Sequence, residues 1–172
     1  MSYAYCFIIA ILIVTVIWDL RFRRIPNWVN LPSLIVGIVY HTFTGGQSGL
    51  VFSLLGMVVG FCFFFLFYVM GGMGAGDVKL MTAIGALLGP ADVLYACAYT
   101  AIAGGIYAVI LIVVQKENRR VLARYVIMAK AFVTTGHFAT IPRSERAQST
   151  PLCYGVAIAA GTITVLVQRI FY

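Results

Sequence analysis

Leu50 to Met70 reads LVFSLLGMVVGFCFFFLFYVM, twenty-one residues without a charge. A helix needs about 20 apolar residues to cross the hydrocarbon core of a bilayer. This stretch reads as a membrane span, and the rest of the chain is placed around it. Upstream lies a second apolar run, Val29 to Phe43, with Pro32 near its start. The cluster Thr44-Gly45-Gly46-Gln47-Ser48-Gly49 between the two has turn composition. The first run is Tyr3 to Trp18, stopped by Asp19. No basic stretch precedes it and no A-x-A site follows, so it reads as a retained span and not a cleaved signal. Downstream, Gly71-Gly72-Met73-Gly74-Ala75-Gly76-Asp77 breaks the pattern. A short run, Val78 to Leu88, follows and ends at Gly89-Pro90. Val93 to Val114 and Leu152 to about Val167 complete the set.

The composition of the 172 residues agrees: 62% are hydrophobic, 10% are charged and the mean hydropathy is +1.00. An average soluble domain is about half apolar and about a quarter charged. This chain has too few charges to clothe a water-soluble globule. It equally lacks the low hydrophobicity of a disordered chain. The length holds about six spans with short connections and leaves no room for a separate soluble catalytic domain. The expected fold is all-α: a polytopic integral membrane protein of six transmembrane helices, with residues 1–172 as one membrane-embedded domain. The four cysteines form no C-x-x-C pair, and they read as small buried hydrophobes and not as metal or disulfide ligands.

The net charge is +7. In a soluble protein that excess points to nucleic acid. Here it sits in the connections, where membrane topology explains it and no nucleic-acid partner is needed. Arg21, Arg23 and Arg24 follow the first run, and Lys79 follows the glycine-rich break. Lys116, Arg119, Arg120, Arg124, Lys130, Arg143 and Arg146 lie between the last two runs. If six spans alternate, eleven of the twelve basic residues fall on one face, and only Arg169 falls on the other. Cytoplasmic connections carry the Lys/Arg excess. Both termini are therefore expected outside the cytoplasm, with a long cytoplasmic loop at about 116–150. Within it, Val121 to Val133 has the make-up of an interfacial helix with snorkelling cations.

Two acids stand out. Asp19 closes the first span, and Asp77 opens the fourth on the same face. Ionisable groups at spans are costly and usually functional. Two carboxyls brought together cannot both ionise readily, and the pair holds one proton. Such a pair suits peptide hydrolysis: the carboxylate takes a proton from water and the acid polarises the scissile carbonyl. No metal or cofactor is required. Gly74 and Gly76 allow backbone turns that a Cβ would penalise, and allow a substrate strand close to Asp77. The plain alternative is that Asp77 is a helix cap and Asp19 a solvated interfacial charge.

Two longer patterns add to this. Trp18-Asp19-Leu20-Arg21-Phe22-Arg23-Arg24-Ile25-Pro26-Asn27 and Gly72-Met73-Gly74-Ala75-Gly76-Asp77-Val78-Lys79-Leu80-Met81 together resemble the type IV prepilin peptidase family of GxGD aspartic proteases. A third echo is Pro151-Leu152-Cys153-Tyr154-Gly155-Val156-Ala157-Ile158-Ala159, at the start of the last span. The resemblance implies that Asp19 and Asp77 are the catalytic pair. It implies a prepilin or pseudopilin substrate, cut after a short basic leader at the cytoplasmic face of the bacterial inner membrane. The partners implied are the lipid bilayer and the pilus or secretion assembly machinery. Long members of that family carry paired C-x-x-C motifs and also methylate the new N-terminus. This chain is similar to the short form of tight-adherence (Flp) pilus systems, and methyltransferase activity is not expected.

Other residues have competing readings. Lys79 is either a modulator of Asp77 and the substrate backbone or an interfacial cation. Pro26 and Asn27 shape the first inner loop, which turn chemistry and helix initiation also explain. Asp92 reads as a cap for the fifth span. His41 and His137 fall on opposite faces and share no metal. Trp18 and Trp28 suit an interface belt, and Glu117 and Glu145 read as solvated. Rival functions are a presenilin- or signal-peptide-peptidase-like intramembrane protease, a small proton-coupled transporter and a non-enzymatic subunit of an export apparatus. A presenilin-type enzyme carries Tyr-Asp deeper in a span, whereas Trp18 precedes Asp19 here.

Overall fold

The computed structural model describes residues 2–23, 25–70, 72–114 and 154–171. They form five helices: α1 (Ser2–Phe22), α2 (Asn27–Val69), α3 (Ala75–Leu88), α4 (Pro90–Val114) and α5 (Tyr154–Phe171). Arg24, the loop 116–150 with its expected interfacial helix, His137, Glu117, Glu145 and Pro151-Leu152-Cys153 lie outside the described residues. The main compact unit comprises 1–104 and 152–172. A second, 105–151, is described only over 105–114, where the chain is helical.

The architecture is all-helical, and α1, α2, α4 and α5 are each long and apolar enough to cross a membrane. At 14 residues, α3 is shorter than a standard crossing. The 43-residue α2 is about twice as long as one crossing needs. It holds two of the expected runs, and the turn cluster between them is a kink and not a loop. The break falls at Gly46, whose φ of 58° lies in the left-handed region that a side chain disfavours. There the chain folds back: a Cβ on Gly49 would overlap the His41 carbonyl, and the His41 and Phe52 rings lie 5.0 Å apart.

The two arms of α2, 27–45 and 47–69, clasp α3. Asn30, Gly37 and His41 meet Gly76, Ala86 and Leu87 in rising order, so the first arm runs parallel to α3. Ser53, Gly56 and Gly60 meet Ala86, Gly85 and Met81 in falling order, so the second runs antiparallel. Small residues let backbones approach where lipid supplies no hydrophobic drive. Gly56 and Gly85 show this most sharply, since a Cβ on either would overlap the other's carbonyl. Apolar nearly all round, α3 is the buried centre: Leu80, Met81, Ala83, Ile84 and Ala86 are fully enclosed. It also touches α1 and α5. The outer faces carry exposed Ile13, Ile17, Leu55, Val58 and Ile102, as a surface solvated by lipid does.

The first helix runs on past Asp19, where the apolar run ends, because nothing in Asp19-Leu20-Arg21-Phe22 breaks a helix; α1 ends at Phe22, before Arg23, whose φ is 51°. One local expectation changes. Of the cysteines described, only Cys97 is buried, while Cys6 and Cys62 face outward. In a bilayer the outer face is apolar too, so a hydrophobic thiol gains little by turning inward.

Candidate functional site

Asp77 lies in the first turn of α3, and Gly74 caps that helix. The Asp77 amide donates to the Gly74 carbonyl at 3.1 Å. In return the Gly74 amide donates to Asp77 Oδ2 at 3.0 Å. Glycine has no side chain, so only the returning half of a capping box exists. The first N–H groups of a helix have no internal partner, and a carboxylate there also meets the positive end of the helix dipole.

Asp19 is held by the same device from another helix. Its Oδ2 accepts the Gly155 N–H, in the first turn of α5, at 2.9 Å. The two residues are 136 positions apart. Contact is so close that a Cβ on Gly155 would lie 2.7 Å from that oxygen. Both acids are enclosed, Asp19 at 5% and Asp77 at 8% exposure. α1, which carries Asp19, packs against α3, which carries Asp77. Two buried acids from α1 and α3 thus sit near one another, each with one oxygen engaged by a glycine N–H at a helix start.

The surrounding loops are joined across the chain. Pro26, extended at φ −75° and ψ 142°, caps α2. Asn27 Oδ1 accepts from Lys79 Nζ at 3.1 Å. Asn30 Nδ2 donates to the Gly76 carbonyl at 3.3 Å. A Cβ on Gly76 would press on Ile25, 3.1 Å from its Cβ. These contacts hold the segment after α1 against the segment before α3.

Asp19, Asp77, Gly74 and Gly76 therefore gather in one place, with Pro26 and Asn27 alongside. Of the two reasons expected for these glycines, backbone freedom is not used. Gly74 has an ordinary extended backbone (φ −82°, ψ 153°), Gly76 is helical, and neither has positive φ. They serve close approach: Gly76 to Ile25, and Gly74 to the Asp77 carboxyl, 3.3 Å from where its Cβ would be. Lys79 turns away from Asp77, since two residues on is about 200° round a helix. Its amine goes to Asn27 instead. Asp92 is joined to Arg169 by an ion pair of 2.6 Å. Among the described residues, no three His, Cys, Asp or Glu side chains are grouped to hold a metal.

Sequence reasoning missed Gly155 and Asn30 as partners of the site. Gly155 stood inside the third pattern, but nothing local ties it to Asp19. Asn30 lies one turn after Asn27, and its partner, the Gly76 carbonyl, is backbone and leaves no mark in the sequence.

Known proteins match parts of this chain. A preflagellin peptidase of Methanocaldococcus jannaschii is 34% identical over 80 residues, 45% of this chain and 34% of that protein. A prepilin leader peptidase/N-methyltransferase of Bacillus subtilis is 28% identical over 117 residues, 65% of this chain and 46% of that protein. The chain spans less than half the length of these curated relatives. No solved structure matches it significantly. Residues 6–109, more than half the chain and including Asp19 and the Gly74–Asp77 turn, match the type IV leader peptidase family. The chain belongs to the type IV leader peptidase family.

Proposed function

We propose that this protein is a membrane aspartic endopeptidase that removes the leader peptide of a prepilin or pseudopilin at the cytoplasmic membrane face. The observation that carries the reading is the buried Asp19–Asp77 pair, each anchored through Oδ2 to a glycine N–H. Anchoring leaves Oδ1 of each acid for chemistry. The pair holds one proton. The ionised acid takes a proton from water, and the oxygen bonds to the scissile carbonyl carbon. The protonated acid gives its proton to the carbonyl oxygen, forming a tetrahedral diol. The C–N bond then breaks, and the leaving amine takes the proton first drawn from water. A diol hydroxyl returns a proton to the other acid, and the starting state is restored. Gly74, Gly76, Pro26 and Asn27 position the two acids, and Lys79 supports the loop through Asn27.

The same reading places the chain in the inner membrane with six crossings: α1, the two arms of α2, α3, α4 and α5. The fold-back at Gly46 supports counting α2 twice. The Asp92–Arg169 pair supports the alternation, because alternating spans put the start of the fifth, with Asp92, on the same outer face as Arg169. Both termini then lie outside the cytoplasm, and the pilus machinery receives the product.

The test is incubation of the purified protein in detergent with prepilins from the same genome, scored by N-terminal sequencing. One cut after the leader is expected, lost in both Asp19→Ala and Asp77→Ala. Intact prepilins throughout, or cutting that survives loss of either acid, would overturn the proposal.

A further inference from the structure

The two arms of α2 touch at the Gly46 end and part at the other. Between Asn27–Leu34 of one arm and Phe61 of the other they leave a cleft of about 400 Å³ over α3. That is within the range of small-molecule sites, about 300–1,000 Å³. Leu31, Leu34 and Phe61 form apolar walls, and Asn27, Asn30, Lys79 and Thr82, whose hydroxyl donates to the Val78 carbonyl, provide the polar groups. Leu31 and Phe61 are also exposed on the outer surface, so the cleft opens sideways. Lys79 lies on the side of α3 turned away from Asp77, which separates this cleft from the acid pair.

One group in it lacks a partner. Asn30 is 4% exposed, and its Oδ1 meets no hydrogen-bond donor. The amide is not simply reversed, because Nδ2 donates to the Gly76 carbonyl and an oxygen there would face an oxygen. Buried polar atoms are almost always paired. A partner for Asn30 Oδ1 would carry an O–H or N–H, and since that oxygen has no exposed surface the Asn30 side chain must turn slightly toward the cleft to meet one. Lys79 asks for a different feature. Its ammonium has three donors, of which Asn27 takes one, and no described carboxylate pairs with it. That favours an anion at the mouth. The apolar walls, open sideways, favour a hydrocarbon tail.

We propose that this cleft is a lipid site for one phospholipid with an anionic, hydroxyl-bearing headgroup of the phosphatidylglycerol type. The phosphate meets Lys79, a headgroup hydroxyl donates to Asn30 Oδ1, and the first part of an acyl chain lies along Leu31, Leu34 and Phe61. Since Asn30 also holds the Gly76 carbonyl, an occupied cleft braces the turn that carries Asp77. The proposal rests on the chain lying in a membrane and is independent of the peptidase reading.

Native mass spectrometry of the delipidated protein in detergent tests it, with phosphatidylglycerol, phosphatidylmethanol, phosphatidylcholine and free glycerol phosphate as ligands. One phosphatidylglycerol per chain is expected. Phosphatidylmethanol, which lacks the hydroxyl, and phosphatidylcholine, which lacks net charge, should bind more weakly, and glycerol phosphate more weakly still. Lys79→Gln should weaken phosphatidylglycerol by about fivefold, the effect of one lysine at an anionic lipid surface. Leu34→Trp should fill the cleft and abolish the bound lipid. If that variant does not fold, photo-cross-linking from the acyl chain to the unaltered protein decides, with adducts expected at 27–34 and Phe61. Equal binding of phosphatidylcholine or phosphatidylmethanol, glycerol phosphate as tight as the lipid, adducts elsewhere, or lipid retained by folded Leu34→Trp would overturn the proposal. So would one-for-one displacement by a prepilin leader peptide, which would give the cleft to the peptide.

Discussion

Replacing Gly155 by alanine drives a methyl group into the Asp19 carboxyl. An ideal Cβ at that position lies 2.7 Å from Asp19 Oδ2 and 3.1 Å from both its Cβ and its Cγ. Non-bonded heavy atoms settle at about 3.5–4.0 Å, so either the carboxyl or α5 must withdraw by about 1 Å. Withdrawal breaks the 2.9 Å bond from the Gly155 amide. A hydrogen bond to a charged group is worth about 1.5–3 kcal/mol, which is about 10- to 100-fold at 1.4 kcal/mol per tenfold. Displacing a reacting group by about 1 Å can by itself cost about 100-fold in rate. The expected result is a fall in prepilin turnover of about 100-fold, with the fold retained. Initial cleavage rates on saturating prepilin would measure it, with thermal unfolding of the same sample recorded alongside. Gly105→Ala is the control, because a Cβ there meets no described residue within 4 Å. A Gly155→Ala enzyme as fast as Gly105→Ala would refute the claim that α5 positions Asp19.

Four further outcomes are expected. Asp19→Asn and Asp77→Asn keep the shape and the glycine N–H contact but cannot exchange the proton, so cleavage should fall by at least about 100-fold in each. Asp92→Ala, whose partner is Arg169, should cleave normally in the same assay. Gly85→Ala places a Cβ on the Gly56 carbonyl; thermal unfolding in micelles should show a loss of about 1–3 kcal/mol, whereas Gly45→Ala, with open space around it, should show none. Cleavage followed on gels should be unchanged by a chelator, since two carboxyls suffice to activate the water in the proposed reaction.

Much of the fold was legible because hydrophobic runs of span length admit few readings. Every apolar run identified in the sequence is helical over its described residues, save Met70, which caps α2, and Gly46 breaks α2 inside the expected turn cluster. The arrangement of the helices was less legible. The small-xxx-small spacings Gly56/Gly60 and Gly85/Gly89 suit close helix packing, but nothing in them names Gly56 and Gly85 as partners; their contact depends on how the clasp closes on α3. The glycines of the Gly74–Asp77 turn were identified partly for a backbone freedom they do not use. Their role is space, and space is a property of the neighbours: Ile25 lies 51 positions before Gly76.

What the amino-acid order determined alone is the material: apolar helices, cations gathered between the apolar runs and two acids beside them, because hydropathy and charge act locally and add along the chain. Its motifs also pointed to the family. Tertiary structure decided which unpaired amide each acid would meet. Asp77 finds its own helix cap three residues away, but Asp19 finds Gly155 across 136 residues. A helix start carries free N–H groups whatever its sequence, and only packing decides whose carboxylate is brought against them.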